Sequence, residues 1–274
     1  MTENYLEQTK QATLASLQAK KSKSEKISMV TCYDSSFARL VDRSSVDMIL
    51  VGDSLGNIMM GFDSTIPVTL DDMIHHAACV TRVVKRAFVA VDMPFGSYQI
   101  SPEQACENAI KLIQKGKAQA VKLEGGEEII PQVKKITQAG IPVIGHLGLT
   151  PQSIHALSGY RVQGRDDETK NRILKDAKLL QDAGAAFLVL ELVPADLARR
   201  VSEILEIPTI GIGAGCDVDG QVLVLQDLLG FEKDFNPKFL KKYANLGGIV
   251  VDALNTYNHE VKEKVFPQKD HEYM

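Results

Sequence analysis

Short runs of consecutive apolar residues recur along the chain, and each is followed by a stretch with helical spacing or by a loop. A continuous apolar run of about four to eight residues is typical of a strand that is buried on both faces, as in parallel sheets. The alternation therefore predicts about eight parallel strands. The strand candidates are KISMVTCY, MILVGD, AFVAVD, AVKLE, IPVIGHLG, FLVLE, IPTIGIG and QVLVL.

The segments between these runs carry signals for the start and end of helices. Thr69 and Asp72 resemble a capping box, with Asp in place of the usual Glu, and predict a helix to about Lys85. Ser101 before Pro102 predicts a second helix start. This second helix is expected to stop at Gly116. The remaining helices are expected at residues 35–46, 127–138 and 169–182, and from Pro194 onward.

This order of elements favours a (β/α)8 barrel of the TIM type that forms one domain over residues 1–274. An additional amphipathic helix is expected at the N-terminus. Two more helices are expected near the C-terminus, at about 237–245 and 249–265. An open doubly wound sheet is the structural alternative, but it usually has a GxGxxG loop after its first strand. Here YDSS follows the first strand, without a glycine.

Composition excludes several classes of partner. The hydrophobic fraction is 45% and the formal net charge is −4, which gives no reason to expect nucleic acid as a partner. No apolar run approaches the roughly 20 residues that span a bilayer. The N-terminal sequence lacks the apolar core of a secretory signal. The four cysteines are far apart in the sequence, so we expect reduced thiols in a cytoplasmic protein without membrane contact.

Four of the apolar runs end in a carboxylate, and these residues are Asp53, Asp92, Glu124 and Glu191. The carboxyl ends of the strands form the active face of such a barrel, so we expect the four acids to surround one site. Hard divalent cations such as Mg²⁺ bind oxygen ligands and retain several waters. Asp53, Asp92 and Glu124 therefore predict a Mg²⁺ site. For any single acid, capping of the next helix or pairing with Arg is the simpler explanation.

Other polar residues near the strand ends are candidates for the chemistry. Glu191 ends an apolar run, and an acid in such surroundings can move protons near neutral pH, so it is the candidate base. The alternative is that it caps the next helix. Lys122 lies two residues before Glu124, so both side chains point into the barrel, where Lys122 would bind an anionic substrate or form an interior salt bridge. Ser54 adds a hydroxyl, and His146 is a candidate to bind a substrate oxygen, or is structural.

Several long motifs follow one another from about Val30 to Gly230. They are VGDSLGNIMMGFDSTIPVTLDDMIHH, VAVDMPFGSY, AVKLEGG, GHLGLTPQS, GYRVQGR, LVLELVPADLA and IPTIGIGAGCDVDGQVLVLQDLLG. Together they closely resemble the ketopantoate hydroxymethyltransferase family. The resemblance implies a barrel of the phosphoenolpyruvate mutase and isocitrate lyase superfamily. It also implies transfer of a hydroxymethyl group from 5,10-methylenetetrahydrofolate to 3-methyl-2-oxobutanoate through a Mg²⁺-stabilised enolate, giving 2-dehydropantoate on the route to pantothenate and coenzyme A.

The resemblance also implies roles for individual residues. The Mg²⁺ positions of the family fall at Asp53, Asp92 and Glu124, and the proton acceptor falls at Glu191. The keto-acid site falls at Asp53, Ser54, Asp92 and Lys122. Family members commonly form decamers built from pentamers, so a homo-oligomer is expected.

Two other functions stay open at this point. Another superfamily reaction, such as C–C cleavage of a 2-hydroxy or 2-oxo diacid, would use the same fold. Lyases of that type carry a catalytic Cys on a mobile loop, whereas Cys106 is expected in the middle of a helix. The non-enzymatic alternative is a barrel that binds a metabolite without turnover. The presence of all four acids together with Lys122 argues against it.

Overall fold

A computed structural model describes residues 10–273, and all eight predicted strands are present in it. The strands are parallel and form a closed barrel in chain order, in which β8 pairs with β1. The predicted (β/α)8 barrel is therefore confirmed. The strands are β1 Ile27–Thr31, β2 Met48–Val51, β3 Phe88–Asp92, β4 Ala120–Glu124, β5 Val143–Gly148, β6 Phe187–Glu191, β7 Thr209–Ile212 and β8 Gly220–Leu223.

Helices follow most strands, and their starts agree with the predicted caps. The Thr69 hydroxyl accepts a hydrogen bond from Asp72 N at 3.2 Å, and Asp72 Oδ2 accepts one from Thr69 N at 2.9 Å. The hydroxyl of Ser101 accepts one from Gln104 N at 3.1 Å. The helices are α1 Leu14–Ser22, α2 Ser35–Arg43, α3 Leu55–Ile58, α4 Leu70–Thr81, α5 Pro102–Gln114, α6 Ile130–Gln138, α7 Asp167–Asp182, α8 Ala195–Ile204, α9 Leu225–Leu228 and α10 Leu246–Lys262.

The chain divides into two compact units, a barrel unit that ends at Val224 and a second unit that begins at Leu225. The second unit contains α9 and α10, and α10 confirms the helix expected at 249–265. The prediction of one domain over residues 1–274 stays a prediction. Among residues 10–273, no helix is both long enough and apolar enough to cross a membrane.

The helix predicted at 237–245 is wrong, since that segment contains turns and irregular backbone. One local backbone bond, from Leu240 N to Pro237 O at 3.0 Å, forms a turn, and other bonds connect this region to α9. Tyr243 N donates to Leu228 O at 2.8 Å. Directly after the segment, Leu246 N donates to Leu229 O at 2.9 Å. A helix of about nine residues is marginal without packing of an amphipathic face, so these longer-range bonds decide the conformation.

The N-terminal helix α1 closes the end of the barrel opposite the strand-end acids. Leu17 is buried in the interior core together with residues from β1, β2 and β3. Lys20 Nζ lies 2.7 Å from Asp47 Oδ1, and Lys21 Nζ lies 2.6 Å from Asp219 Oδ2. Both aspartates directly precede a strand, so α1 is anchored to the amino ends of β2 and β8. The carboxyl ends of the strands are left as the accessible end.

Strand alternation places the polar residues above the interior core. The core includes Ala90, Ala120, Ile144 and Val189. Side chains two residues later on the same strands point to the same side, and those residues are Asp92, Lys122, His146 and Glu191. The strand register aligns Asp92 with Lys122 and aligns Glu124 with His146. The fold therefore gathers these side chains inside the mouth of the barrel.

Candidate active site

Lys122 lies at the centre of the gathered polar residues and is 5% exposed. Its Nζ atom is 3.2 Å from Asp92 Oδ1, 3.6 Å from Glu124 Oε1 and 3.2 Å from His146 Nδ1. Burial lowers the pKa of Lys122, but the charges of Asp92, Glu124 and Asp53 outweigh burial and raise the pKa above its ordinary value. Lys122 is therefore a buried, protonated cation, and the expected interior salt bridge is present.

Asp53 and Asp92 are adjacent buried carboxylates. The Asp53 N–H donates to Asp92 Oδ2 at 3.1 Å. Burial, with the charges of Asp92 and Glu124, raises the pKa of Asp53 well above its ordinary value. Burial also raises the pKa of Asp92, despite the nearby Lys122. The raised pKa of both adjacent carboxyl groups indicates that the site holds too little positive charge to stabilise two carboxylates.

The backbone before Asp53 leaves no room for a side chain. A Cβ atom at Gly52 would lie 2.9 Å from Ser54 Oγ and 3.4 Å from Asp92 Oδ2. The hydroxyl of Ser54 is 2.9 Å from the hydroxyl of Tyr33. The glycine thus lets the Asp53 loop approach β3 closely, and the loop brings Ser54 to the edge of the acid cluster.

Glu124 has both carboxylate oxygens engaged by protein groups. Oε1 lies 3.3 Å from His146 Nδ1, and Oε2 accepts a hydrogen bond from Gln152 N at 3.0 Å. Burial raises the pKa of Glu124, but Lys122 and His146 outweigh burial and lower it. Glu124 is therefore ionised. Both of its carboxylate oxygens already face hydrogen-bond donors of the protein, so a cation would have to compete with these donors.

His146 connects the buried cluster to Glu191. Its Nε2 atom is 3.3 Å from Glu191 Oε2, and its Nδ1 faces Glu124. Burial and the Lys122 charge lower the pKa of His146, but the carboxylates of Glu124 and Glu191 outweigh them and raise it to about 9. The imidazole therefore binds a proton between two carboxylates.

Glu191 is the most accessible of the four strand-end acids. Its side chain is 18% exposed, whereas that of Glu124 is 3% exposed. The apolar run before Glu191 suggested a more enclosed setting, and the structure instead places the carboxylate at the mouth of the barrel. It does not cap α8, whose N-cap position is Pro194. The carboxylate is thus free to meet a ligand.

Gln152 and Tyr98 also belong to the site, and the sequence analysis missed both. Gln152 Nε2 donates to Asp53 Oδ2 at 2.8 Å, and the Tyr98 hydroxyl lies 2.8 Å from Gln152 Oε1. The Glu124 N–H donates to the Tyr98 hydroxyl at 3.2 Å. Both residues lie in motifs that were noticed, PFGSY and LTPQS, but neither carries the charge that singled out the other candidates.

The donor set fits a hard divalent cation that is only partly held by protein. Within residues 10–273, no three His, Cys, Asp or Glu side chains converge closely enough to hold a metal by themselves. Asp92 Oδ1, although close to Lys122, accepts no hydrogen bond. Mg²⁺ typically uses one or two carboxylates and completes its shell with water and substrate. Asp53 and Asp92 supply two such oxygens in a place that lacks positive charge.

The proton on His146 predicts a dependence of stability on pH in protein without divalent metal. The folded pKa of about 9 lies above the ordinary value of 6.5, so the stabilisation is present below pH 6.5 and lost as pH rises through about 9. We expect the free energy of unfolding, measured by urea denaturation, to fall over this interval. The ¹³C NMR signal of the His146 imidazole is identified by its absence in the His146→Gln variant. We expect this signal to titrate with a midpoint near pH 9. A midpoint at or below 6.5 would contradict the assignment.

Comparisons with known proteins agree with the sequence motifs. A family model described as ketopantoate hydroxymethyltransferase matches residues 11–269. A 3-methyl-2-oxobutanoate hydroxymethyltransferase of Moorella thermoacetica (strain ATCC 39073 / JCM 9320) is 54% identical over 266 residues, which cover 97% of this chain and 99% of that protein. The enzyme of the same name from Thermoanaerobacter sp. (strain X514) is 53% identical over 253 residues, which cover 92% of each chain.

A solved structure has a similar fold. A 2,3-dimethylmalate lyase, described as a member of the PEP mutase/isocitrate lyase superfamily, superposes with a TM-score of 0.59. The match covers 95% of this chain and 91% of the lyase, at 16% sequence identity. At this identity the likeness concerns the fold alone, and it agrees with the (β/α)8 barrel described above.

Proposed function

The chain belongs to the ketopantoate hydroxymethyltransferase family, a family of enzymes, and from this premise we propose the complete reaction that it catalyses. The donor is 5,10-methylenetetrahydrofolate, the acceptor is 3-methyl-2-oxobutanoate, and water supplies the new hydroxyl group. The products are 2-dehydropantoate and tetrahydrofolate. The observation that carries this proposal is the enclosed cluster of three carboxylates, Lys122 and His146 beside the accessible carboxylate of Glu191.

The charge of the cluster defines how an anionic keto acid is bound. The negative charge of the three carboxylates of Asp53, Asp92 and Glu124 is larger than the positive charge of Lys122. An anionic keto acid therefore needs additional positive charge beside it in order to bind. We assign Asp53 and Asp92 as the residues that hold Mg²⁺, with Glu124 reached directly or through water. When bound, Mg²⁺ withdraws electrons from the carbonyl group of the substrate and so makes the neighbouring C–H bond more acidic.

Three side chains complete the keto-acid site beside the two aspartates. Lys122 offsets part of the substrate charge from inside the barrel. Ser54 lies next to Asp53 and offers a hydroxyl. His146 faces the cluster through Nδ1, 3.3 Å from Glu124 Oε1, and donates to a substrate oxygen by sharing that N–H between the substrate and Glu124. Each of these groups is held by a strand end or by the first residues after a strand, which fixes the orientation of the substrate.

Glu191 is the base in this proposal. It removes the proton from C3 of the keto acid, and the electrons of that C–H bond form the enolate. The enolate carbon then attacks the methylene carbon of the donor, so that the new C–C bond forms as one of the two C–N bonds of the methylene bridge breaks, and the released nitrogen takes the proton held by Glu191. Water then displaces the second nitrogen from the same carbon, which breaks the remaining C–N bond, supplies the new hydroxyl group and gives its other proton to that nitrogen. The imidazole of His146, whose Nε2 atom lies 3.3 Å from Glu191 Oε2, holds this carboxylate in position. Tetrahydrofolate leaves with a proton on each of the two nitrogens.

The two alternative functions have less support. Cys106 lies in the middle of α5, so it does not occupy the loop position that the lyase reaction requires. A barrel that only binds a metabolite has no need for a base at its mouth, yet Glu191 is accessible and next to a protonated histidine. The hydroxymethyl transfer uses every member of the cluster.

Product analysis tests the proposal. The purified protein is incubated with 3-methyl-2-oxobutanoate, 5,10-methylenetetrahydrofolate and Mg²⁺, and 2-dehydropantoate is measured by mass spectrometry. We expect product in the complete mixture and a large loss when EDTA replaces Mg²⁺ or when the folate is omitted. Absence of product from the complete mixture would refute the proposal, and full activity in EDTA would refute the role of the cation.

We also propose that the chain forms a homo-oligomer, and the family resemblance implies a decamer. Within residues 10–273, none of the side chains of α10 is buried. One face of the helix carries the exposed apolar residues Val250, Leu254, Tyr257 and Val261. Contiguous exposed apolar patches of this kind mark contact surfaces.

A charge on this face should weaken the assembly. We expect Leu254→Asp to shift the mass measured by light scattering toward smaller species, because a carboxylate would be desolvated in the contact. Asn255→Asp adds the same charge on another face of α10 and should leave the mass unchanged. A wild-type protein that is monomeric, or a Leu254→Asp variant with the wild-type mass, would contradict the proposal.

A further inference from the structure

The side chain of Gln152 uses its full hydrogen-bonding capacity inside the site, where it is 4% exposed. Its Nε2 group donates to Asp53 Oδ2 at 2.8 Å and to Met93 O at 2.9 Å. Its Oε1 atom lies 2.8 Å from the Tyr98 hydroxyl and accepts from Gln99 Nε2 at 3.2 Å. A carboxylate and a carbonyl on one side both require a donor, so the orientation of the amide is fixed.

The main chain of the same residue holds a second acid. Gln152 N donates to Glu124 Oε2 at 3.0 Å, and the Tyr98 hydroxyl accepts from the Glu124 N–H at 3.2 Å. Gln152 lies in the short 3₁₀ turn Pro151–Ser153 that follows β5. This one residue therefore connects the loop after β2, the loop after β3 and the end of β4.

The chemistry of an amide suits this place better than that of a cation. An N–H group of Gln152 orients the Asp53 carboxylate without cancelling its charge. A Lys or Arg in the same position would neutralise the acid and compete with a bound divalent cation. The Tyr98 hydroxyl in turn holds the amide oxygen, so that the amide cannot rotate away from Asp53.

We propose that Gln152 is a positioning residue that fixes the carboxylates of Asp53 and Glu124 for the cation and the keto acid. The inference rests on the proposed function, because it assigns those acids to the substrate site. It goes beyond that function by assigning a role to an uncharged residue that does not itself touch the reacting atoms. Partners of this kind typically contribute about 10- to 100-fold to metal affinity or activity.

Two variants test the role of Gln152, first by metal binding in protein without substrate and then by steady-state kinetics. Gln152→Met and Gln152→Leu both remove the amide with its N–H donors and add no charge, but they differ in shape. We expect each change to raise the Kd for Mn²⁺, measured by calorimetry, by about 10- to 100-fold. The KM for 3-methyl-2-oxobutanoate should rise by about tenfold or more, while kcat should fall less than kcat/KM. Agreement between the two variants excludes a simple packing defect.

Gln181→Met is the matched control for a loss of stability. Gln181 Oε1 accepts from Glu206 N at 2.6 Å and from Ile207 N at 3.3 Å, near the amino end of β7. Its loss removes an amide of the same kind at the end of the barrel opposite the acids. We expect a lower melting temperature in this variant together with the wild-type Kd for Mn²⁺ and the wild-type KM.

The outcomes separate this inference from the proposed function. If wild-type protein binds Mn²⁺ and Gln152→Met binds it with the same Kd, the positioning role is wrong. If wild-type protein binds Mn²⁺ neither alone nor in the presence of the keto acid, the cation of the proposed function is wrong, and the keto-acid KM then decides the role of Gln152. An unchanged KM in both Gln152 variants overturns the positioning role of Gln152. A rise in KM of about tenfold, without a matching rise in Gln181→Met, supports that role.

Discussion

Glu191→Gln is expected to lower kcat by about 10²- to 10⁴-fold, the usual contribution of a positioned general base. The amide has nearly the same shape as the carboxylate, but it cannot take the C3 proton of the keto acid. The buried groups that bind the substrate, Lys122 and Asp92 among them, are unchanged. The affinity for 3-methyl-2-oxobutanoate, measured by calorimetry in the presence of Mg²⁺, should therefore stay close to that of wild type.

A second Glu→Gln change provides the control for this result. Glu203 is an exposed residue of α8 that pairs with Arg199 at 3.1 Å, and we expect Glu203→Gln to retain the wild-type kcat. Steady-state kinetics of both variants decide the assignment. Wild-type turnover in Glu191→Gln would exclude it as the base. A loss of turnover that came entirely from lost keto-acid binding would place Glu191 in substrate binding instead.

The second large effect is expected from Lys122→Met. The change leaves Asp92 buried without its nearest cation and removes one of the two cations beside Glu124. Breaking a buried ion pair in this way costs about 3–5 kcal/mol of stability. Burial would then raise the pKa of both acids in the folded variant above their unfolded values. Stability from such groups is present at low pH and lost as pH rises, so the deficit of the variant should be smaller near pH 5 than near pH 8.

Urea denaturation at about pH 5 and about pH 8 measures this deficit. Lys135→Met is the matched control, because Lys135 lies 3.6 Å from Glu103 in an exposed pair, and such pairs contribute about 0–1 kcal/mol. Metal should be removed from all samples before unfolding. A Lys122→Met variant as stable as wild type at both pH values would show that the carboxylates are not paired as the structure has them.

The position of the acid cluster follows from the sequence because short-range rules are sufficient there. An apolar run such as AFVAVD, between helix signals, is typical of a buried strand, and its final acid then lies at the carboxyl end of a parallel sheet. The spacing of two residues between Lys122 and Glu124 likewise fixes a shared face. Both predictions are confirmed by the register that aligns Asp92 with Lys122 and Glu124 with His146.

The remaining features depend on contacts between distant parts of the chain. Gln152 is 99 residues from Asp53 in sequence, and no local pattern indicates that its amide reaches that carboxylate. The raised pKa of His146 results from two carboxylates on other strands, so it could not be read from the run IPVIGH. The wrong helix at 237–245 has the same origin, because bonds to Leu228 and Leu229 replace the local ones.

Deuterium exchange at C3 of 3-methyl-2-oxobutanoate tests the central claim most directly, because it isolates proton removal from the transfer that follows. The keto acid is incubated with the protein in D₂O without the folate, and loss of the C3 proton signal is followed by ¹H NMR. Exchange is expected with wild-type protein and Mg²⁺, and it should be strongly reduced in EDTA and in Glu191→Gln. Absence of exchange in the wild-type protein with Mg²⁺, or wild-type exchange in Glu191→Gln, would contradict enolate formation by this base.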